Sequence, residues 1–153
     1  MRDILFRGKR IDNGEWVEGS LIIDHYDYAG QHKDRYVIQN CLYGIDENGF
    51  CDFQSGISEE IDPLTLGQYT GLTDEYGKKI FEGDIIARQD SYDDDVAING
   101  VIKYGRFNCS CCDGVYGWYI DDGDIRFLDD ENHEFFVIGN VYDNPELLEE
   151  RSD

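Results

Sequence analysis

The chain has 153 residues, 41% hydrophobic and 14% aromatic, enough to bury the core of one ordinary domain, 1–153, and too apolar for a disordered chain. Its formal charge of -21 excludes direct binding to phosphate backbones or anionic membranes, which attract lysine and arginine. No apolar run approaches the roughly 20 residues of a spanning helix, and MRDILFRGKR meets charge too early for a signal peptide, so a cytoplasmic protein is expected.

The first predicted element is a hairpin folded at Asn13-Gly14. Asn-Gly supplies the two positive-φ residues of a type I′ turn, and folding there sets Ile11 against Trp16, Lys9 against Glu18 and Phe6 against Leu21. Residues 35–43, RYVIQNCLY, predict a strand. Asn48-Gly49 marks a weaker hairpin, because it sets Glu47 against Phe50 and Asp46 against Cys51. Asp62-Pro63 pairs an N-cap with proline at the first helical position, and Gly67 stops that segment after one turn.

Residues 68–86, QYTGLTDEYGKKIFEGDII, superficially resemble a phosphate loop. A P-loop needs G-x-x-x-x-G-K-[ST] between strand and helix, whereas Gly71 and Gly77 are one residue too far apart and their flanks are strand-like. The stretch reads as turn chemistry, with Glu82-Gly83-Asp84 as a second tight turn in which Asp84 caps its own backbone. Residues 80–89 predict a strand. Asn99-Gly100 and Asp122-Gly123 predict two further hairpins, pairing Ile98 with Val101 in the first. The second pairs Ile120 with Ile125, Tyr119 with Arg126 and Trp118 with Phe127. Residues 134–142, EFFVIGNVY, are almost continuously apolar and predict a strand buried on both faces. Asn144-Pro145-Glu146 repeats the helix-start signal, giving a short C-terminal helix near 145–150. The predicted fold is mainly β: antiparallel hairpins forming a small barrel-like or folded sheet, with one or two short helices.

No catalytic, cofactor-binding or metal-ligating set emerges from these residues. The five cysteines are an odd count that fits reduced thiols. Cys109, Cys111 and Cys112 contain one C-x-x-C pair, and structural zinc usually needs a second pair of ligands. Cys41, Cys51 and His133 join it only through folding. The acidic runs 93–95, 121–124 and 129–131 do not match the calcium loop of an EF-hand. His25, His32 and His133 stand in no hydrolase or deaminase pattern with the serines. A chain without a bound cofactor, and without stoichiometric zinc, iron or calcium after purification, is expected.

Three stretches together resemble the YopX-like family of small phage and prophage proteins. They are Phe6-Arg7-Gly8-Lys9 with Trp16-Val17-Glu18-Gly19; Ile61-Asp62-Pro63 and Gln68-Tyr69-Thr70-Gly71-Leu72-Thr73-Asp74 running into Ile80-Phe81-Glu82-Gly83-Asp84-Ile85-Ile86; and Ile138-Gly139-Asn140-Val141-Tyr142 with Asp143-Asn144-Pro145-Glu146-Leu147-Leu148. The resemblance implies a phage accessory protein in the bacterial cytoplasm that self-assembles, and it brings no catalytic residues. Residues 24–58 and 109–113 lie outside it, so a function located there is particular to this chain.

Charge adds a second clue to assembly. Residues 1–35 hold 6 basic and 7 acidic side chains, and residues 36–153 hold 7 and 27. A basic first strand carrying Arg7, Lys9 and Arg10 and an acidic body predict a head-to-tail contact between copies. The leading expectation is thus a non-enzymatic homo-oligomer that contacts a host or phage protein. The alternatives are an acidic DNA mimic that inhibits a DNA-binding enzyme, and a small metal-dependent enzyme using Cys109 and Cys112.

Overall fold

The computed structural model describes residues 3–40, 44–45, 48, 51–52, 57–89, 96–109, 112–121, 126–127 and 135–149. Among the described residues the protein is mainly β, with two larger antiparallel sheets that remain open, a separate two-stranded pair and one short C-terminal helix. Two compact units divide the chain, Met1–Gln68 and Tyr69–Asp153.

In the first unit, β1 (Phe6–Lys9), β2 (Trp16–Tyr28), β3 (Gln31–Asn40) and β6 (Ile57–Glu60) form an antiparallel sheet in the order β6-β3-β2-β1. The opening residues of β7 (Gly67–Thr73) pair with the other side of β1, Phe6 opposite Gln68. Arg7, Lys9 and Arg10 therefore do not form the expected basic edge. Arg7 is buried with its guanidinium 4.8 Å from the Trp16 ring centre, and Lys9 Nζ lies 5.5 Å from the same ring. Arg10 reaches Asp12 at 2.6 Å and Glu59 at 3.2 Å. Its hydrogen bond holds the Asp12 carboxyl below the ordinary carboxylate range.

The β1–β2 hairpin exists, but in a register two residues from the expected one. Lys9 faces Trp16, Arg7 faces Glu18 and Phe6 faces Gly19. The cause is local. Asn13 does not adopt positive φ; its side-chain oxygen accepts from the Glu15 N–H at 2.9 Å. The turn widens to hydrogen bonds from Gly14 N to Arg10 O and from Arg10 N to Glu15 O. Gly14 alone takes the left-handed conformation, at φ +72° with open space where a Cβ would lie. Gly14→Val is expected to cost roughly 1–3 kcal/mol through backbone strain alone, measured by urea denaturation.

Gly19 answers a different need. A Cβ there would lie 2.3 Å from the Gln39 carbonyl oxygen, so only glycine lets β2 approach β3 at this point. Asp62 and the 3-10 turn Pro63–Thr65 behave as the sequence predicts. Asp62 Oδ1 accepts from Leu64 N at 3.0 Å, and Thr65 Oγ1 accepts from Lys9 N at 2.8 Å, fastening the turn to β1. Ile38 and Ile61, each 1% exposed, form the apolar centre of this unit. The short pair β4 (Gly44–Ile45) and β5 (Cys51–Asp52) confirms the Asn48 hairpin, one residue out of the expected register, with Ile45 facing Cys51.

The second unit holds β8 (Lys79–Phe81), β9 (Asp84–Gln89), β10 (Val96–Cys109), β11 (Cys112–Asp121), β12 (Arg126–Phe127), β13 (Phe135–Asn140) and α1 (Glu146–Glu149). Five of the strands form one sheet in the order β12-β11-β10-β9-β13. Its core gathers Ile80, Ile86, Ile102, Trp118, Ile120 and Phe135. The stretch 80–89 is two strands, broken by the Glu82-Gly83 turn, where buried Asp84 accepts from Phe81 N at 2.8 Å.

Two expectations fail here. Asn99-Gly100 is no hairpin: β10 runs straight through it, and the dipeptide forms a bulge against β9 between the pairs Ile98–Ala87 and Gly100–Ile86. A bulge also favours a glycine at positive φ, and Gly100 has φ 141°. The strand at 134–142 is a half-buried edge strand rather than one covered on both faces, because among the described residues β13 pairs only with β9. The Asp122-Gly123 turn itself lies outside the described residues; β11 and β12 on either side pair antiparallel, but Tyr119 faces Phe127 and Ile120 faces Arg126. That one-residue slip undoes the expected Tyr119–Arg126 pair.

The stretch at 68–86 is turn chemistry, as its sequence indicates. Asp74 Oδ1 accepts from Tyr76 N at 2.9 Å and Lys78 N at 2.8 Å, while its Oδ2 accepts from Val137 N at 3.1 Å. Together with Glu75 N donating to Phe135 O at 3.1 Å, this turn covers the outer edge of β13, a common way to blunt an exposed strand.

Candidate functional site

The residues that carry the family resemblance are engaged in building the fold. Thr70 Oγ1 donates to Ile80 O at 2.8 Å, and Asp62, Asp74 and Asp84 cap turns. A Cβ on Gly139 would fall 2.4 Å from Asn144 Oδ1. A groove of about 360 Å³ beside the β1–β2 turn is walled by Lys9, Arg10, Ile11, Asp62, Pro63 and Thr65. Its polar groups are the ones already committed to the turn and its cap.

The far part of the β2–β3 hairpin is exposed. β1 pairs with β2 only as far as Gly19, and β6 pairs with β3 only from Val37 onward. Beyond the Ile23–Tyr36 pair, where Tyr36 O still accepts from Ile61 N, the two strands pair among the described residues only with each other, from Asp24–Arg35 to Tyr28–Gln31. Every described side chain from Ile22 to Asp27 and from Gln31 to Arg35 is exposed. Ile22, Ile23 and Tyr26 are 44%, 42% and 45% exposed. The reversal at Ala29-Gly30 has φ of 53° and 75°, the backbone of a type I′ turn. Ala29 is the only non-glycine residue at positive φ among the described residues.

Opposite residues on an antiparallel pair share a face, so the two faces of this arm differ. On one, Asp24 faces Arg35 and Tyr26 faces Lys33. On the other, His25 faces Asp34 and Asp27 faces His32. His25 Nδ1 lies 2.7 Å from Asp34 Oδ1, and His32 Nδ1 lies 2.8 Å from Asp27 Oδ1. His32 Nε2 stands 3.6 Å from Asp34 Oδ1. The two imidazoles stack with centroids 6.3 Å apart and planes 14° from parallel. One ligand atom each from His25, His32 and Asp34 lies within 4.8 Å of the others.

Sequence reading missed this quartet because it sought Asn-Gly turns and Cys clusters. The available signal was the order His-x-Asp, then His-x-Asp, which meets in register only when the chain reverses at Ala29-Gly30. The backbone sets Cys109 opposite Cys112 at the end of the β10–β11 pair, and their side chains lie outside the described residues, as do Cys41, Cys111 and His133. The runs 93–95 and 129–131 and residues 122–124 also lie outside them; Asp121 forms an exposed ion pair with Lys103. No described helix is long and apolar enough to cross a membrane.

A family model described as YopX protein matches residues 5–149. The crystal structure of protein EF1440 from Enterococcus faecalis is similar at 20% identity and a TM-score of 0.47, covering 97% of this chain and 99% of that one. No curated protein matches the chain.

Proposed function

The chain belongs to the YopX family, and from that premise we propose a phage or prophage accessory protein that acts without catalysis, by self-assembly and contact with a host or phage protein in the bacterial cytoplasm. The observation that supports self-assembly is the β2–β3 arm. A lone two-stranded ribbon is marginally stable in water, and this one, two-stranded among the described residues from Asp24–Arg35 outward, exposes Tyr26, with Ile22 and Ile23 exposed at its base. A second copy is the occupant that charge favours. Each chain carries -21, yet residues 24–35 hold three acidic and two basic side chains. Two copies meeting at their arms bring together the least repulsive part of an acidic molecule. Strand edges that pair with no other described strand and exposed apolar side chains supply the attraction there, since exposed ion pairs are individually weak.

The Ile22→Lys, Ile23→Lys double variant is expected to shift the chain toward monomer at concentrations where the natural sequence associates. Sedimentation equilibrium measures this, with circular dichroism showing that the fold is kept. Equal association by the variant and the natural chain removes the arm from the account.

A further inference from the structure

We propose that His25, His32 and Asp34 form an exchangeable binding site for a divalent transition-metal ion, with Asp27 as the group that orients His32. Two imidazoles and one carboxylate are a donor set suited to zinc, copper or nickel. All three ligands belong to one chain, so the site stands apart from self-assembly.

Geometry supports the set in three ways. Tetrahedral zinc, with bonds of about 2.0–2.1 Å to nitrogen and oxygen, holds its ligand atoms roughly 3.3 Å apart. The distances from Asp34 Oδ1, 2.7 Å to His25 Nδ1 and 3.6 Å to His32 Nε2, bracket that spacing. The ligands stand on paired strands of one hairpin, on its shared face, so that small rotations of exposed side chains gather them around an ion.

The third support is Asp27. With its carboxylate 2.8 Å from His32 Nδ1, a neutral His32 carries its proton on Nδ1 and donates it to Asp27. Nε2 is then the nitrogen with the free lone pair, and it is the one that faces Asp34. A carboxylate behind a ligating histidine is the usual device for fixing tautomer and ring orientation at metal sites. His25 enters by moving its proton from Nδ1 to its other ring nitrogen, which frees Nδ1 for the ion without net proton release. Water completes the coordination. Exposed ligands and open positions make the ion exchangeable, which accords with a chain expected to purify without stoichiometric metal.

An alternative is that the two His–Asp pairs only brace the ribbon. Calorimetric titration of zinc into the full chain, with a reductant that does not bind metal, separates the two. The proposal predicts a saturable event of about one ion per arm that disappears in His25→Gln and in His32→Gln. It also predicts affinity weakened roughly tenfold in Asp27→Asn, a change that a purely bracing aspartate does not produce. Nitrogen shifts of the imidazoles in the natural chain give a readout that needs no variant: zinc moves His25 Nδ1 and His32 Nε2. Absence of saturable binding, zinc affinity unchanged in the histidine variants, or shifts confined to other residues would overturn the proposal.

Discussion

Replacing Asp74 with alanine is expected to destabilise the protein by about 3 kcal/mol. The carboxylate is 8% exposed and accepts three backbone N–H groups, from Tyr76, Lys78 and Val137. A hydrogen bond to a charged group contributes about 1.5–3 kcal/mol net, and a buried donor left unpaired costs about 1–3 kcal/mol. Three such bonds sum to more than the expected loss, but Tyr76 and Lys78 are exposed, and water takes over part of their hydrogen bonding. The Val137 donor, half-buried along the edge of β13, has less access to water. Asp74→Asn should cost less, because it keeps an oxygen for the two turn donors. Urea denaturation gives the magnitude, and amide exchange at Val137 should accelerate in step. A loss under about 1 kcal/mol would mean that the turn and the sheet edge are held by other contacts.

Trp118→Ala is expected to be more severe, at about 3–5 kcal/mol, the usual range for removing a buried large aromatic. Trp118 is 7% exposed within the cluster of Ile80, Ile86, Ile102, Ile120 and Phe135. Tyr104 meets its ring edge-on, centroids 4.9 Å apart. The vacated volume is bounded by residues from five strands, so backbone pairing limits how far the walls collapse into it. A domain of this size has about 5–15 kcal/mol of stability in total, and the variant is expected to be partly unfolded well below the melting temperature of the natural chain. Trp118→Phe should recover most of the loss. Thermal and urea unfolding of both variants check this, and an alanine variant as stable as the phenylalanine one would show that the cavity closes.

Local chemistry was the legible part of this fold. Asp62-Pro63, Glu82-Gly83-Asp84 and Pro145-Glu146 each specify a turn or helix start within a few residues, and each is found where the sequence places it. Register was less legible. Asn13 binds its neighbour's backbone through its side chain rather than taking positive φ, and that choice moves every pair of the first hairpin by two. Asn99-Gly100 satisfies a bulge as readily as a turn, and only the length of β10 decides between them. Continuous apolar character at 134–142 does not distinguish a central strand from an edge covered by the Asp74 turn. The arm was hidden for the opposite reason. Its reversal uses Ala29, a residue that gives no turn signal, so the His25–Asp34 and His32–Asp27 pairs were invisible until the register was known.

Light scattering coupled to size exclusion, applied to the full chain and to a variant in which residues 24–35 are replaced by Asn-Gly, tests the arm most directly. Removing those residues leaves the Ile23–Tyr36 pair flanking a two-residue turn, so the remaining hairpin keeps its register. The mass of the natural chain is expected to rise above that of one copy with concentration, and the folded variant to stay at one copy throughout. A natural chain that remains a monomer at high concentration, or a shortened chain that assembles as well as the natural one, would contradict this expectation.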